Sequence, residues 1–213
     1  MKIKRFEFNM FGVNTYVVWD ENTGQAAIVD PGMMTAADNR ELDKFIQEKN
    51  LTVKYLLNTH LHIDHTLGNN RVEQRYGVET WANSNDDFLG SQRQAQARMF
   101  GINAGELPAL KIASDLADGS ELMLGKEKLE VIAVPGHSPG SVAFYSPEGK
   151  FVITGDALFR QSIGRTDLPG GNQRQLIESV TSRLLTLPAE TTVYPGHGPE
   201  TTVGYERKYN PFL

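Results

Sequence analysis

Cysteine is absent from the 213 residues. Disulfides, thiolate metal ligands and a cysteine nucleophile are therefore excluded, and any metal must be held by histidine and carboxylate. Long hydrophobic runs are absent too. No stretch approaches the ~20 apolar residues a membrane span needs, and Met1-Lys2-Ile3-Lys4-Arg5 leads into Phe6-Glu7-Phe8 without a signal-peptide core. The expectation is a cytoplasmic protein with no membrane partner. Clusters of lysine and arginine are also missing, and the formal net charge is −5, so the footprint of a nucleic-acid binder is not there. A small-molecule substrate is favoured. With 39% hydrophobic and 22% charged residues, what remains reads as an ordinary globular chain, expected to form one domain over residues 1–213.

Residues 2–8 alternate apolar and polar and read as an edge strand, followed by a hairpin over 15–19 and 26–29. Residues 36–49 carry Leu42, Phe45 and Ile46 at helical spacing, and 53–57 is a short apolar run suited to a buried strand. A His-rich loop follows, then a helix through Tyr76 and a second helix over 86–99, whose Ser84, Asp86 and Asp87 suit an N-terminus. Residues 101–119 look irregular. Strands resume at 129–134, 141–145 and 151–154, followed by a helix over 173–185 and a last strand at 192–194. The halves echo each other, Val29-Asp30-Pro31-Gly32 against Thr154-Gly155-Asp156-Ala157, each followed by a helix and a His-bearing strand end. Two such units, each burying one sheet face on the other and covering its outer face with helices, predict an α/β four-layer αββα sandwich.

All five histidines lie in turn-like stretches just past expected strands: Thr59-His60-Leu61-His62-Ile63-Asp64-His65, Pro135-Gly136-His137 and Pro195-Gly196-His197-Gly198. A lone histidine in such a place is more often a hydrogen-bonded structural residue than a ligand. Five together reverse that weighting, because desolvating so many imidazoles without partners is costly. On an extended segment alternate residues point the same way, so His60, His62 and Asp64 address one side and His65 starts the next turn. Loops at strand ends are where a rigid sheet can aim ligands at one point. Asp156 follows an apolar strand in a comparable position and is the candidate bridging carboxylate, one oxygen to each of two cations. The set then counts seven ligands: His60, His62, Asp64, His65, His137, Asp156 and His197.

The order HxHxDH, GH, GD, GHG resembles the metallo-β-lactamase superfamily from Asp30 to His197, and within it the glyoxalase II-like hydrolases. The resemblance implies a first metal on His60, His62 and His137 and a second on Asp64, His65 and His197, with Asp156 bridging and Asp30 behind the ligands. The cofactors it implies are two divalent ions, zinc first, with iron or manganese as substitutes. Common zinc β-lactamases use a cysteine ligand, which this chain lacks, so a substrate other than an antibiotic is expected. The run from Ser162 to Gly171 is similar to one shared by short glyoxalase II-like proteins and persulfide dioxygenases, which implies a thiol-derived substrate. Classical glyoxalase II has a further helical domain with basic residues for glutathione, and Lys-Phe-Tyr where Arg165-Thr166-Asp167 stand. This sequence ends at Pro211-Phe212-Leu213, and only the basic charge at Arg165 survives.

The expected reaction is attack of a metal-bridging hydroxide on a thioester carbonyl, with Asp64 orienting the nucleophile. Arg165 is read either as a surface residue or as the anchor of a substrate carboxylate. The alternative enzyme is an Fe(II) persulfide dioxygenase on His60, His137 and Asp156, and the non-enzymatic alternative a metal-binding scaffold. Phe88, Met99, Phe100 and Leu107 either pack the second helix or form an apolar lid.

Overall fold

Tyr16 and Val18 alternate with Val17 along one strand, and all three are fully buried. Such a strand needs cover on both faces, which two packed sheets with outer helices supply. The computed structural model describes residues 1–103 and 105–213. The first half contains β1 (Lys2–Phe8), β2 (Val13–Trp19), β3 (Gln25–Val29), α1 (Ala36–Glu48), β4 (Thr52–Leu57), α2 (Asn69–Tyr76), β5 (Thr80–Ala82), α3 (Asp87–Ser91), α4 (Arg93–Met99) and β6 (Ser114–Asp115). The second contains β7 (Glu121–Leu124), β8 (Glu127–Ala133), β9 (Val142–Ser146), β10 (Phe151–Gly155), β11 (Leu158–Phe159), β12 (Ser162–Ile163), α5 (Gln173–Ser179), β13 (Thr192–Pro195), β14 (Thr201–Thr202) and α6 (Val203–Tyr209).

One sheet runs β1-β2-β3-β4-β5-β6, the other β14-β13-β10-β9-β8-β7, and β11 and β12 form a separate ribbon. In each half a three-stranded antiparallel meander, β1-β2-β3 or β8-β9-β10, passes through a helix into a strand parallel to the last, β4 or β13. This is the repeat that the echoing motifs suggest. Between the sheets Tyr16, Val18, Val29 and Leu57 meet Leu129, Val131, Phe144 and Ile153. Outside the first sheet Leu42 and Ile46 of α1 and Val72 of α2 cover Val17, Ile28 and Leu56. Outside the second, Leu176 of α5 joins Val180 and Leu184 over Ile132, Val152 and Val193. The result is the αββα sandwich. A register shift in the β3–β4 pairing lets both Val53 and Leu56 face outward despite their odd spacing.

Several expected boundaries change. The helix over 86–99 breaks at Gln92 (φ −104°, ψ 19°) into α3 and α4. Past the break Arg93 turns fully inward, donating to Thr66 Oγ1 and O, Asn70 Oδ1 and Pro108 O. The irregular 101–119 stretch holds the short strand β6, and its residue 104 lies outside the described residues. Strand β7 pairs with β8 across Gly125 (φ +61°), with Leu122 and Leu124 inward. The helix over 173–185 stays α-helical only to Ser179 and continues as a π-helical turn, Val180–Leu184. β13 is not the last strand, since β14 pairs with it and α6 follows, tied down by buried Glu206, which accepts from Thr201 Oγ1, Gln161 N and Asn210 Nδ2. Among the described residues no helix is long and apolar enough to cross a membrane.

Because β3 and β4 are parallel, and β8, β10 and β13 run alike within their sheet, the C-terminal ends carrying Asp30, His60, His137, Asp156 and His197 gather at one rim. The sheets are joined there: Asn14 N donates to Gly196 O at 2.7 Å, and Tyr16 Oη and Asn14 Nδ2 both donate to Pro195 O, at 2.7 and 2.9 Å. Tyr16→Phe leaves that carbonyl its Asn14 donor, so the expected loss is about 1 kcal/mol. Chemical denaturation reads it as a lower midpoint at unchanged m, and a change in m would show that Tyr16 does more than donate one bond.

Candidate metal centre

The His60–His65 loop leaves β4 as extended chain and closes in a single 3-10 turn, Ile63–His65. His62 Nδ1 lies 2.8 Å from His137 Nε2, which lies 3.2 Å from His60 Nε2. His65 Nε2 lies 3.3 Å from His197 Nε2, and Asp64 Oδ2 is 3.2 Å from His197 Nε2 and 3.7 Å from His65 Nε2. Among the described residues three groups able to hold a metal result, His60-His62-His137, Asp64-His65-His197 and, spanning the two, His60-His65-Asp156. Asp156 stands between them, Oδ1 3.3 Å from His65 Nε2 and Oδ2 3.6 Å from both His137 Nε2 and His197 Nε2. All seven residues singled out in the sequence thus converge on one volume. A Cβ at position 196 would sit 2.1 Å from Asp156 Oδ1, so only glycine lets β13 pass this carboxylate.

The outward ring nitrogens decide where the lone pairs point. His65 Nδ1 donates to Asp30 Oδ2 at 3.0 Å, His137 Nδ1 to Arg165 O at 2.7 Å and His197 Nδ1 to Phe11 O at 3.0 Å. The Thr59 hydroxyl donates to Asp30 Oδ2 at 2.6 Å and therefore accepts from His60 Nδ1 at 3.1 Å. With those protons outside, His60 and His137 in their neutral forms turn bare nitrogens to each other at 3.2 Å, a contact that a cation between them would relieve, so the residues fit a metal. Asp30 adopts φ +50°, held by Asp30 N donating to Leu57 O and Thr15 Oγ1 donating to Asp30 O. Such strain in a buried aspartate is kept where its carboxylate must face two histidine carriers at once.

The two groups differ electrically. Burial and the neighbouring His65 and His137 hold His60 far below the usual imidazole range, and burial with His137 pushes His62 down to about 3. Burial also opposes charge on His65 and His197. There the carboxylates win: Asp64, Asp156 and Asp30 hold His65 well up, and Asp64 and Asp156 raise His197. Against their own burial, Asp64 and Asp156 are lowered chiefly by His65. His60 and His62 are thus disposed to act as neutral donors, while the carboxylates around His65 and His197 favour positive charge at the second triad.

A cleft of about 370 Å³ opens over these ligands, walled by Phe11, Ile63, Phe100, Phe159 and Leu168, with Arg165 at its edge. Arg165 is largely exposed, and its Nε and Nη2 donate to the two Asp167 oxygens at 2.7 Å each. Phe100 reaches the cleft, Phe88 and Met99 line an adjoining cavity, and Leu107 packs near Ile63 and Ala97. Other contributors were not apparent in the sequence. Asp86, there a helix N-terminus, is fully buried and accepts from Leu61 N (3.1 Å), Ser138 Oγ (2.7 Å) and Gly140 N (2.6 Å), pinning both loops of the first triad. Its carboxyl is raised by burial against these donors. Its spacing to Ser138-Pro139-Gly140 gives no local signal. The carbonyls of Phe11 and Arg165 have no side-chain signature at all.

The sequence matches the metallo-beta-lactamase superfamily over residues 9–197. The chain belongs to that superfamily. It is 38% identical to the hydroxyacylglutathione hydrolase GloC of Haemophilus influenzae, covering 100% of this chain and 98% of the relative. Among solved structures it resembles TTHA1623 in a di-iron-bound form (36% identity, TM-score 0.87, 99% of this chain and 100% of that one). It also resembles the BLEG-1 B3 metallo-beta-lactamase (32% identity, TM-score 0.87, 100% and 99%). With its His/Asp cluster, this member of the superfamily is a metal-dependent hydrolase.

Asp30 orients His65 directly and His60 through Thr59, so Asp30→Asn, which replaces one acceptor oxygen by a donor, should weaken metal binding by about 10–100-fold. Competition with a chelator measures it. Unchanged affinity would mean that the histidines are held by packing alone.

Proposed function

We propose that the protein hydrolyses a thioester of the hydroxyacylglutathione type, using two divalent ions, zinc the metal expected, one on each triad and both on Asp156. The observation that carries this reading is the pair of adjoining triads with one carboxylate between them, on the floor of an apolar-walled cleft. The GloC relative supports the substrate class and the di-iron neighbour the nuclearity. One similar structure is a B3 metallo-beta-lactamase, so the substrate reading rests on the cleft rather than on the missing cysteine.

Bound ions would supply Lewis acidity, activating water and polarising the carbonyl. The rest falls to the chain. Asp64, held as an anion by its histidine neighbours and partly open to the cleft, has a carboxylate oxygen free to accept a hydrogen of the attacking water and fix its direction. Phe11, Phe100 and Phe159 exclude bulk water, which strengthens every charge interaction below them. A thiolate leaves without a proton, so the reaction does not require a general acid. Arg165 would take the carboxylate of the thiol carrier by exchanging it for Asp167, bidentate for bidentate.

Zinc-loaded protein should cleave a lactoyl thioester under strictly anaerobic conditions. Arg165→Ala should raise KM about tenfold for an acidic carrier and leave a neutral carrier unchanged, the size of one exposed charge-assisted contact. Persulfide-dependent oxygen uptake by iron-loaded protein, with no thioester cleavage on any metal, would overturn the hydrolase reading in favour of the oxygenase. Equal losses on both carriers would reduce Arg165 to a structural residue.

A further inference from the structure

Beside the metal cleft lies a second cavity of about 270 Å³ between α3, α4 and the loop at Leu168. His62, Phe100 and Leu168 line both, so the second cavity opens from the wall of the first triad. Its other walls include Phe88, Leu89, Ala95, Met99 and Pro169. No lysine, arginine, aspartate or glutamate lines it among the described residues. Of its two amides, Gln96 is spent: Oε1 accepts from Ile63 N at 3.1 Å and Nε2 donates to Leu89 O at 2.8 Å. Gln92 and His62, whose Nε2 is buried without a partner, keep polar capacity there, and the rest of the side-chain lining, Gln96 aside, is apolar.

The geometry points to this cavity as the subsite for an apolar acyl chain, which would make the protein a hydrolase preferring short- to medium-chain acyl thioesters over lactoyl-sized ones. The inference rests on the thioester reading above and adds the direction in which the substrate lies. A thioester at the metals extends two arms. The thiol carrier, with its amides and carboxylates, would lose more hydrogen bonds than Gln92 and His62 can replace in the second cavity, which costs more than apolar burial returns. It has a partner in Arg165, which lines the metal cleft and not the second cavity. The remaining arm is the acyl group. An alkyl chain asks nothing of Phe88, Leu89 and Met99 except contact, and each methylene removed from water there should tighten binding about threefold to fourfold.

The test uses acyl thioesters of one neutral thiol, acetyl to hexanoyl, with their non-hydrolysable ketone thioether counterparts as binding probes on the metal-loaded protein. Both kcat/KM and probe affinity should rise with chain length, on the order of 100-fold from two carbons to six. Ala95 is exposed on α4, so Ala95→Trp should fold, fill the cavity and flatten the dependence on chain length in both readouts. Ala95→Leu should give an intermediate slope. A flat series in both readouts, or a gradient that follows elongation of the thiol side instead, would overturn the subsite. A probe gradient abolished by Ala95→Trp, without cleavage of any thioester, would uphold the cavity's role in binding and overturn the hydrolase reading instead.

Discussion

Five imidazoles and two carboxylates press their lone pairs into one small volume, and much of the surrounding structure can be understood as holding them there. The rings do not choose this arrangement. Each is turned by a hydrogen bond on its far side, to Asp30, Thr59, Arg165 O or Phe11 O, or, for His62, by the path of its loop. A cation among them would satisfy the nitrogens and the carboxylates together. Asp64 and Asp156 favour positive charge on His65 and His197, whereas burial disfavours it on His60 and His62.

Rigid support follows from the layers. Strands buried on both faces cannot shift by one residue without carrying every side chain to the wrong core, so the strand ends are fixed points. The two sheets are then tied at the same rim by Asn14 and Tyr16 reaching the β13 end, by Val142 N donating to Thr59 O, and by Asp86 joining the His60–His62 and His137 loops. The ligands of each triad come from separated parts of the chain, and this cross-bracing helps hold them together.

The site was legible in the sequence to the extent that side chains carry it. Histidines and aspartates just past apolar runs announce both their chemistry and their place, so the seven residues and the αββα layering could be read together. Four kinds of feature were not legible. Backbone carbonyls such as Phe11 O and Arg165 O leave no mark in composition. Asp86 looks like any helix-starting aspartate until the loop containing Ser138 is folded against it. The break at Gln92 answers to the burial of Arg93, a tertiary demand that helical periodicity over 86–99 does not contain. The short strands β7 and β14 exist because neighbours pair with them, and their own few residues say little.

The central claim is that Asp156 is shared between two ions. Metal content per chain, measured after saturation and gel filtration, tests it most directly. The account expects two ions in the unaltered protein, loss of both in Asp156→Ala, and retention of the first in His197→Ala. One ion at saturation, or equal losses in the two variants, would contradict it.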